Sequence, residues 1–295
     1  MAGKYSDFFP EWVQPHSQFP VNPSGIEDEN EVGQLLLQHR YLSECMGGVL
    51  PAALDLSHVK RALDAPCGAS GWVYELAWNH PSMHVTGIDE RPAYVEKARE
   101  LVNLLGNATV TQQDIQQLSD EMIPLASFDL VHARFLVSML SPREYPAVLA
   151  ALVRRCRAGG LFAWDELEYP ITNSPACQAF HALIQDGLKA TGRAFSPGNQ
   201  LGITAMMSRF IQEAGCKVTL DVASAIEISS GTRGRDAFAW QMWQLSKQLR
   251  SFLLDARVTT EAFFDELCAQ AQQEISHDNF FGLIYMRTLV GMRIG

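Results

Sequence analysis

A chain of 295 residues, 47% hydrophobic and 19% charged, is long enough to bury a sizeable core and reads as a soluble globular protein. Its net charge of −10 argues against a general attraction to nucleic acid or to an anionic membrane. The cysteines (45, 67, 156, 177, 216 and 268) form no CxxC pair, which argues against zinc and a disulfide framework and for a reducing cytoplasm. The first residues lack a basic-then-apolar leader, and no run approaches a membrane span, so a cytoplasmic location without membrane contact is expected.

Residues 1–30 are rich in proline, aromatics and acids: Tyr5, Phe8, Phe9, Trp12 and Phe19, then Glu27-Asp28-Glu29. They read either as a loosely attached arm or as a lid whose aromatics cover a site. From Glu31 to Met46 the apolar residues Val32, Leu35, Leu36, Leu42 and Met46 have helical spacing, and Gly47-Gly48 ends the helix. His39 and Arg40 lie within it, either facing solvent or reaching a ligand.

The stretch Arg61 to Gly71 is the centre around which the chain is organised. Ala62 and Leu63 belong to a buried strand, Asp64 ends it, and Gly68-Ala69-Ser70-Gly71 form a turn of small residues where a ligand can approach the backbone. A helix to about Asn79 directs its free N–H groups and positive dipole end into that turn. Cys67 serves as a small residue there, not as a nucleophile. The strand Val85–Ile88 ends in Asp89, an acid that could accept both ribose hydroxyls and that otherwise has only solvent to meet. A helix opens at Pro92 and runs to Leu105. The strand Thr109–Gln113 ends in Asp114, which could meet the exocyclic amine of adenine. Three successive strands ending in acids form the pattern of a nucleoside pocket.

Residues 115–126 read as a polar loop. Strand four is Phe128–Ala133, with His132 as a satisfied interior histidine. Ser141-Pro142-Arg143-Glu144 reads as a capping box, its helix runs to about Cys156, and Gly159-Gly160 ends it before strand five, Leu161–Trp164. Asp165, Glu166 and Glu168 form an acid cluster that could bind a metal or a cationic substrate amine; with no histidine partners in that segment, they read instead as a solvated loop edge. Helices at 174–191 and 203–214 come next, then a strand from Lys217 to Val222 or as far as Ile228. Helices at 236–254 and 260–275, the second capped by Thr259, precede a final strand over 280–293. Strands alternating with helices imply an α/β fold with a parallel sheet.

Leu63-Asp64-Ala65-Pro66-Cys67-Gly68-Ala69-Ser70-Gly71 resembles the first motif of the class I S-adenosylmethionine (SAM) methyltransferases, usually written LDxGCGxG. Gly87-Ile88-Asp89 resembles their second motif and Gln113-Asp114-Ile115 the adenine-side motif. Phe128 to Arg134 is similar to their fourth strand, and Arg157-Ala158-Gly159-Gly160-Leu161 to the turn before the fifth. The match covers roughly residues 55–170 in the family's order; Pro66 and Ser70 stand where two glycines are usual. Gln38-His39-Arg40-Tyr41 with Gly48-Val49-Leu50 adds a narrower resemblance, to the lead-in of methyltransferases similar to fungal regulators of secondary metabolism.

The resemblance implies a Rossmann-like fold: a seven-stranded, mostly parallel sheet with an antiparallel last strand and helical insertions. It divides the chain into an arm and cap helix (1–50), a SAM-binding core (51–170), and substrate-side insertions with the last two strands of the same domain (171–295). The cofactor it implies is SAM, held by Asp64, Ala65, Gly68, Asp89, Glu90, Arg91, Asp114, Ile115, Ala133 and Arg134. The implied activity is methyl transfer to a small-molecule acceptor, in secondary metabolism if the narrower resemblance holds. No residue identifies itself as a general base, no metal site is expected, and the oligomeric state stays open, a homodimer included. A non-catalytic regulator or scaffold that keeps the fold is the alternative. An NAD-type enzyme fits worse, because the turn lacks GxGxxG spacing. The absence of an Asn/Asp-Pro-Pro-Tyr stretch after strand four, where His132-Ala133-Arg134-Phe135 stands, argues against a DNA amino-methyltransferase.

Overall fold

A computed structural model describes residues 28–295 of the protein. Its contacts divide these into two compact units: 28–133 with 154–161 and Gly295, and 134–153 with 162–294.

In the first unit, strands of four to seven residues alternate with helices. Helix α1 (Asp28–Met46) precedes β1 (Arg61–Asp64), α2 (Gly71–Asn79), β2 (His84–Asp89), α3 (Pro92–Val102), β3 (Ala108–Gln112) and β4 (Phe128–Arg134). The strands β3, β2, β1 and β4 lie side by side, all in parallel, with Asp64 level with Gly87 and Asp89 level with Gln112. Parallel strands covered by helices are buried on both faces, which explains the near-continuous apolar Ala62-Leu63 and Leu130-Val131. Val32 and Leu36 of α1 pack with Ala69, Tyr74, Tyr94 and Leu101, so the cap helix closes over α2 and α3. The approach is close: a β-carbon at Gly71 would stand 2.6 Å from the His39 ring.

In the second unit, α4 (Tyr145–Val153), the later part of β5 (Cys156–Leu167), and β6 (Ile171–Thr172) lead to α5 (Pro175–Ala190) and α6 (Ile203–Glu213). Strand β7 (Cys216–Glu227), helices α7 (Arg233–Asp255) and α8 (Glu261–Ser276), and β8 (Gly282–Arg293) complete it. Strand β8 runs antiparallel to β7 along its length and antiparallel to the short β6. The fold is therefore the expected α/β arrangement, with a mostly parallel sheet and a reversed last strand. Among the described residues it has eight strands where seven are expected, the addition being the two-residue β6.

Three local expectations are corrected. Strand five spans residues 156–167, and Gly159-Gly160 lie inside it instead of ending a helix. Gly159 has φ +73°, and a β-carbon at Gly160 would meet the Arg157 and Asp129 carbonyl oxygens at 2.9 and 3.1 Å. The glycine pair thus permits a kink in a continuous strand. Helix α4 begins at Tyr145, because Glu144 turns its carboxylate back onto the Ser141 N–H and hydroxyl, both at 2.7 Å, and closes a turn before the helix. Thr260, one residue later than expected, caps α8 by accepting the Phe263 N–H.

Candidate functional site

The parallel order brings the carboxyl ends of β1, β2, β3 and β4 to one edge of the first unit. Asp64 and Asp89 end their strands, Asp114 follows β3 by two residues, and Ala133 lies near the end of β4. Open α/β sheets bind ligands at this edge. The turn after β1 is pinned to its neighbours. Ala65 N–H donates to the His132 carbonyl at 3.0 Å and Cys67 N–H to the Ile88 carbonyl at 2.7 Å. Gly68 has φ +53° and Ser70 φ +62°, left-handed conformations that bend the chain sharply into α2. Ser70 also donates its hydroxyl to Cys67 Sγ at 3.3 Å. Burial, with Asp64 and Asp89 nearby, pushes the Cys67 thiol well up, consistent with a packing role. A β-carbon at Gly87 would meet Cys67 Sγ at 2.9 Å, so β2 needs a glycine for this turn to sit against it.

The sequence-assigned residues divide by environment. Asp64 is buried and its Oδ1 lies 2.7 Å from His132 Nδ1, while the His132 ring stacks on Trp72 at 4.3 Å. His132 is thus the satisfied interior histidine the sequence suggests. Asp89 is fully buried, and its side chain is far from unpartnered. It accepts the Gly68 N–H at 2.9 Å, the Arg91 N–H at 3.0 Å, and the Arg91 guanidinium through Nε at 2.9 Å and Nη2 at 3.1 Å. The sequence left this acid to solvent because a side chain two positions on, past a turn, has no periodic signature. Arg91 is half-exposed and Glu90 exposed. Asp114 caps a single 3-10 turn by accepting the Gln116 N–H at 2.8 Å, and Ile115 beside it is buried. Ala133 is buried.

Sequence reasoning left one group in this unit open and missed another. His39 is buried on α1 and meets Glu75 of α2 at 3.0 Å, which decides against a solvent-facing histidine. Tyr94 of α3 is buried, carries the Arg91 guanidinium 3.7 Å from its ring centroid, and donates its hydroxyl to Glu31 of α1. Burial pushes the Tyr94 phenol up, and the bond to Glu31 adds to the effect. An aromatic five residues after the acid was the available signal.

The second unit holds Arg134, half-buried with its guanidinium 5.3 Å from the Phe135 ring. Phe135 itself adopts φ +58°, uncommon for a bulky residue, and donates its N–H to the Asp165 carbonyl at 3.0 Å. The acids after strand five are not a solvated loop edge. Asp165 and Glu166 are buried within β5, and Glu168 accepts the Gly202 and Thr204 N–H groups at the start of α6. The missed signal was the strand's length: reading β5 as ending at Trp164 left these acids outside it. Among the described residues no cluster of three or more His, Cys, Asp or Glu could hold a metal, and no helix is long and apolar enough to cross a membrane.

Residues 62–160 match a family model described as a methyltransferase domain. The chain is similar to the methyltransferase Str3 of Strobilurus tenacellus, 26% identical over 49% of this chain and 48% of that protein. It is also similar to the secondary metabolism regulator LaeA of Coprinopsis cinerea, 26% identical over 57% of this chain and 40% of that one. It spans half or less of the length of these two relatives. The N-methyltransferase TcpN of Claviceps purpurea is 24% identical over 88% of this chain and 94% of its own. Among solved structures, a candidate methyltransferase from Bacillus halodurans superposes with a TM-score of 0.50 at 13% identity, covering 88% of this chain and 97% of that one. That likeness is one of fold.

Proposed function

We propose that this chain, which belongs to the class I SAM-dependent methyltransferase superfamily, binds SAM at the carboxyl edge of its first unit and methylates a small-molecule acceptor. The observation that carries the reading is the triad Asp64, Asp89 and Asp114 at or just past the carboxyl ends of adjacent parallel strands, around a turn whose Gly68 has no side chain to exclude a ligand. The fit to SAM is chemical. A carboxylate at the end of β2 suits the ribose diol, Asp114 with buried Ile115 suits adenine, and a backbone carbonyl at Ala133 suits an ammonium group. Glu90 would edge the adenine, and the N-terminal end of α2 supplies a positive dipole beside Gly68. Asp64 and Ala65 would hold the turn against the ligand.

SAM supplies a methyl group already activated on sulfonium. The protein's own task is then to hold the ligand in line with a nucleophile and to exclude water. The names of Str3 and TcpN support methyl transfer, and that of LaeA supports a place in secondary metabolism.

Calorimetry with SAM and with S-adenosylhomocysteine tests the reading; silence from both on folded protein would sink it. Asp89→Ala should weaken SAM binding roughly 10- to 1,000-fold, since two charge-assisted bonds are lost and water recovers part of them. The variant also strips partners from the Gly68 N–H and from Arg91, so its melting curve belongs beside its binding curve. Binding within twofold of the parent would mean that Asp89 does not receive the ribose.

A further inference from the structure

A carboxylate has about four lone-pair positions. At Asp89 all of them are taken: Oδ1 by the Arg91 N–H and Nε–H, Oδ2 by the Gly68 N–H and the Arg91 Nη2–H. Two of these donors are backbone groups that hold the turn. The other two are the parallel prongs of the guanidinium. A ribose diol would bring two further donors to the same pair of oxygens, and no position is left for them.

The guanidinium is also in the ligand's way. Arg91 Nη2 lies 4.0 Å from where a β-carbon would stand on Gly68, so the arginine stands beside the bare backbone of the turn. It is held there from two sides. Asp89 grips its edge, and the Tyr94 ring lies 3.7 Å beneath it, itself tied through its hydroxyl to Glu31 of the cap helix. With 47% of its side chain exposed, Arg91 has water beside it to move into, whereas Asp89 is at 0%.

We infer that Arg91 is a self-occluding latch: its guanidinium occupies the ribose-binding oxygens of Asp89 and must swing away before the nucleoside can dock. This deepens the proposed SAM site and rests on that reading of Asp89. The binding-competent state is then only a fraction of the ligand-free protein, and apparent affinity is reduced by that fraction. Because α1 steadies the Tyr94 platform through Glu31, the cap helix and the ribose site are coupled through the same arginine.

The test uses the full chain, Arg91→Met, and three uncharged or zwitterionic probes: S-adenosylhomocysteine, adenosine and 2′,3′-dideoxyadenosine. Methionine keeps a packing stem over Tyr94 and removes the competing donors. Arg91→Met should bind S-adenosylhomocysteine and adenosine about three- to thirtyfold more tightly than the parent, a range set by a charge-assisted pair discounted for its half-exposed partner. Dideoxyadenosine, which has no diol to place, should bind both chains alike. The parent's affinity for S-adenosylhomocysteine should rise with salt as the ion pair is screened, and the variant's should not. If Arg91→Met prefers adenosine to dideoxyadenosine yet gains nothing over the parent, or gains equally for all three probes, the latch is wrong and the ribose site stands. If neither chain distinguishes the two nucleosides, it is the ribose assignment of Asp89 that fails.

Discussion

Glu166 is a carboxyl the chain buries completely in β5 of the second unit. Its Oε1 accepts the Tyr145 hydroxyl at 2.5 Å, the Trp164 Nε1–H at 3.0 Å and the Val137 N–H at 3.2 Å, while Oε2 is buried with no partner. Burial pushes its pKa up to about 8; the three donors pull the other way and lose. The folded protein therefore holds a proton that the unfolded chain releases near the ordinary value of 4.5. Between those two pH values the native state binds more protons, so stability must fall as pH rises through the window and level off above about 8. Glu166→Gln should flatten that slope and melt above the parent at pH 8–9, with little difference near pH 5. A parent whose melting temperature is unchanged from pH 6 to 9 would contradict a neutral Glu166. His181 has the opposite sign. Burial holds it down to about 4, so it disfavours acid: stability falls as pH drops from the ordinary 6.5 towards 4.

At the scale of elements, the helices of the second unit show how capping depends on what surrounds the cap. Ser174 caps α5 by accepting the Cys177 N–H at 2.9 Å, and it also donates to Glu274 of α8 at 2.6 Å. It is buried, and Glu274 accepts the Ala176 N–H as well, so one serine ties two helices. Thr260 caps α8 alone and in solvent. Thr260→Ala should cost about 1 kcal/mol, the usual value of a cap. Ser174→Ala should cost about 2 kcal/mol, because a charge-assisted bond to a carboxylate goes with the cap. Denaturant midpoints at unchanged slope would measure both; equal losses would mean that the Ser174–Glu274 bond contributes nothing. In the first unit, helix α1 is set by contact. Gly71 lets the His39 ring approach, and the His39–Glu75 pair then holds α1 on α2.

At the scale of the molecule, the chain builds two compact units from interleaved segments, and the candidate ribose and adenine acids all fall in the first. A ligand that binds only the native first unit stabilises that unit by mass action. S-adenosylhomocysteine at 100 times its dissociation constant adds about 2.7 kcal/mol, which raises the melting temperature by several degrees in a domain of this size. Should the units melt in separate steps, the step belonging to the first unit is the one that moves. A melt unchanged at saturating ligand would count against the cofactor proposal independently of calorimetry. The net charge of −10 sets no requirement on this experiment, since S-adenosylhomocysteine carries no net charge.

The order of strands and helices, the turn at Gly68 and the acids Asp64, Asp89 and Asp114 were legible from residues alone. They depend on local chemistry: apolar strand runs, small residues at a turn, an acid at a strand end. The reversed last strand was legible through the resemblance, and the alternating burial along β7, its antiparallel neighbour, agrees with it. What the sequence could not determine is who meets whom. His132 with Asp64 lies 68 positions apart and Tyr94 with Glu31 lies 63, so only the packed fold could join them. The bidentate grip of Arg91 on Asp89 spans two positions yet turns on a rotamer, which no periodicity encodes. The burial of Asp165 and Glu166 followed from the length of β5, in which Gly160 lies against the Arg157 backbone of its own strand and the Asp129 carbonyl of β4. Local sequence determines which elements form, because backbone and solvent decide that within a few residues. The charge state and partners of a buried group are decided by the tertiary structure, because desolvation and hydrogen bonding depend on neighbours that chain order does not reveal.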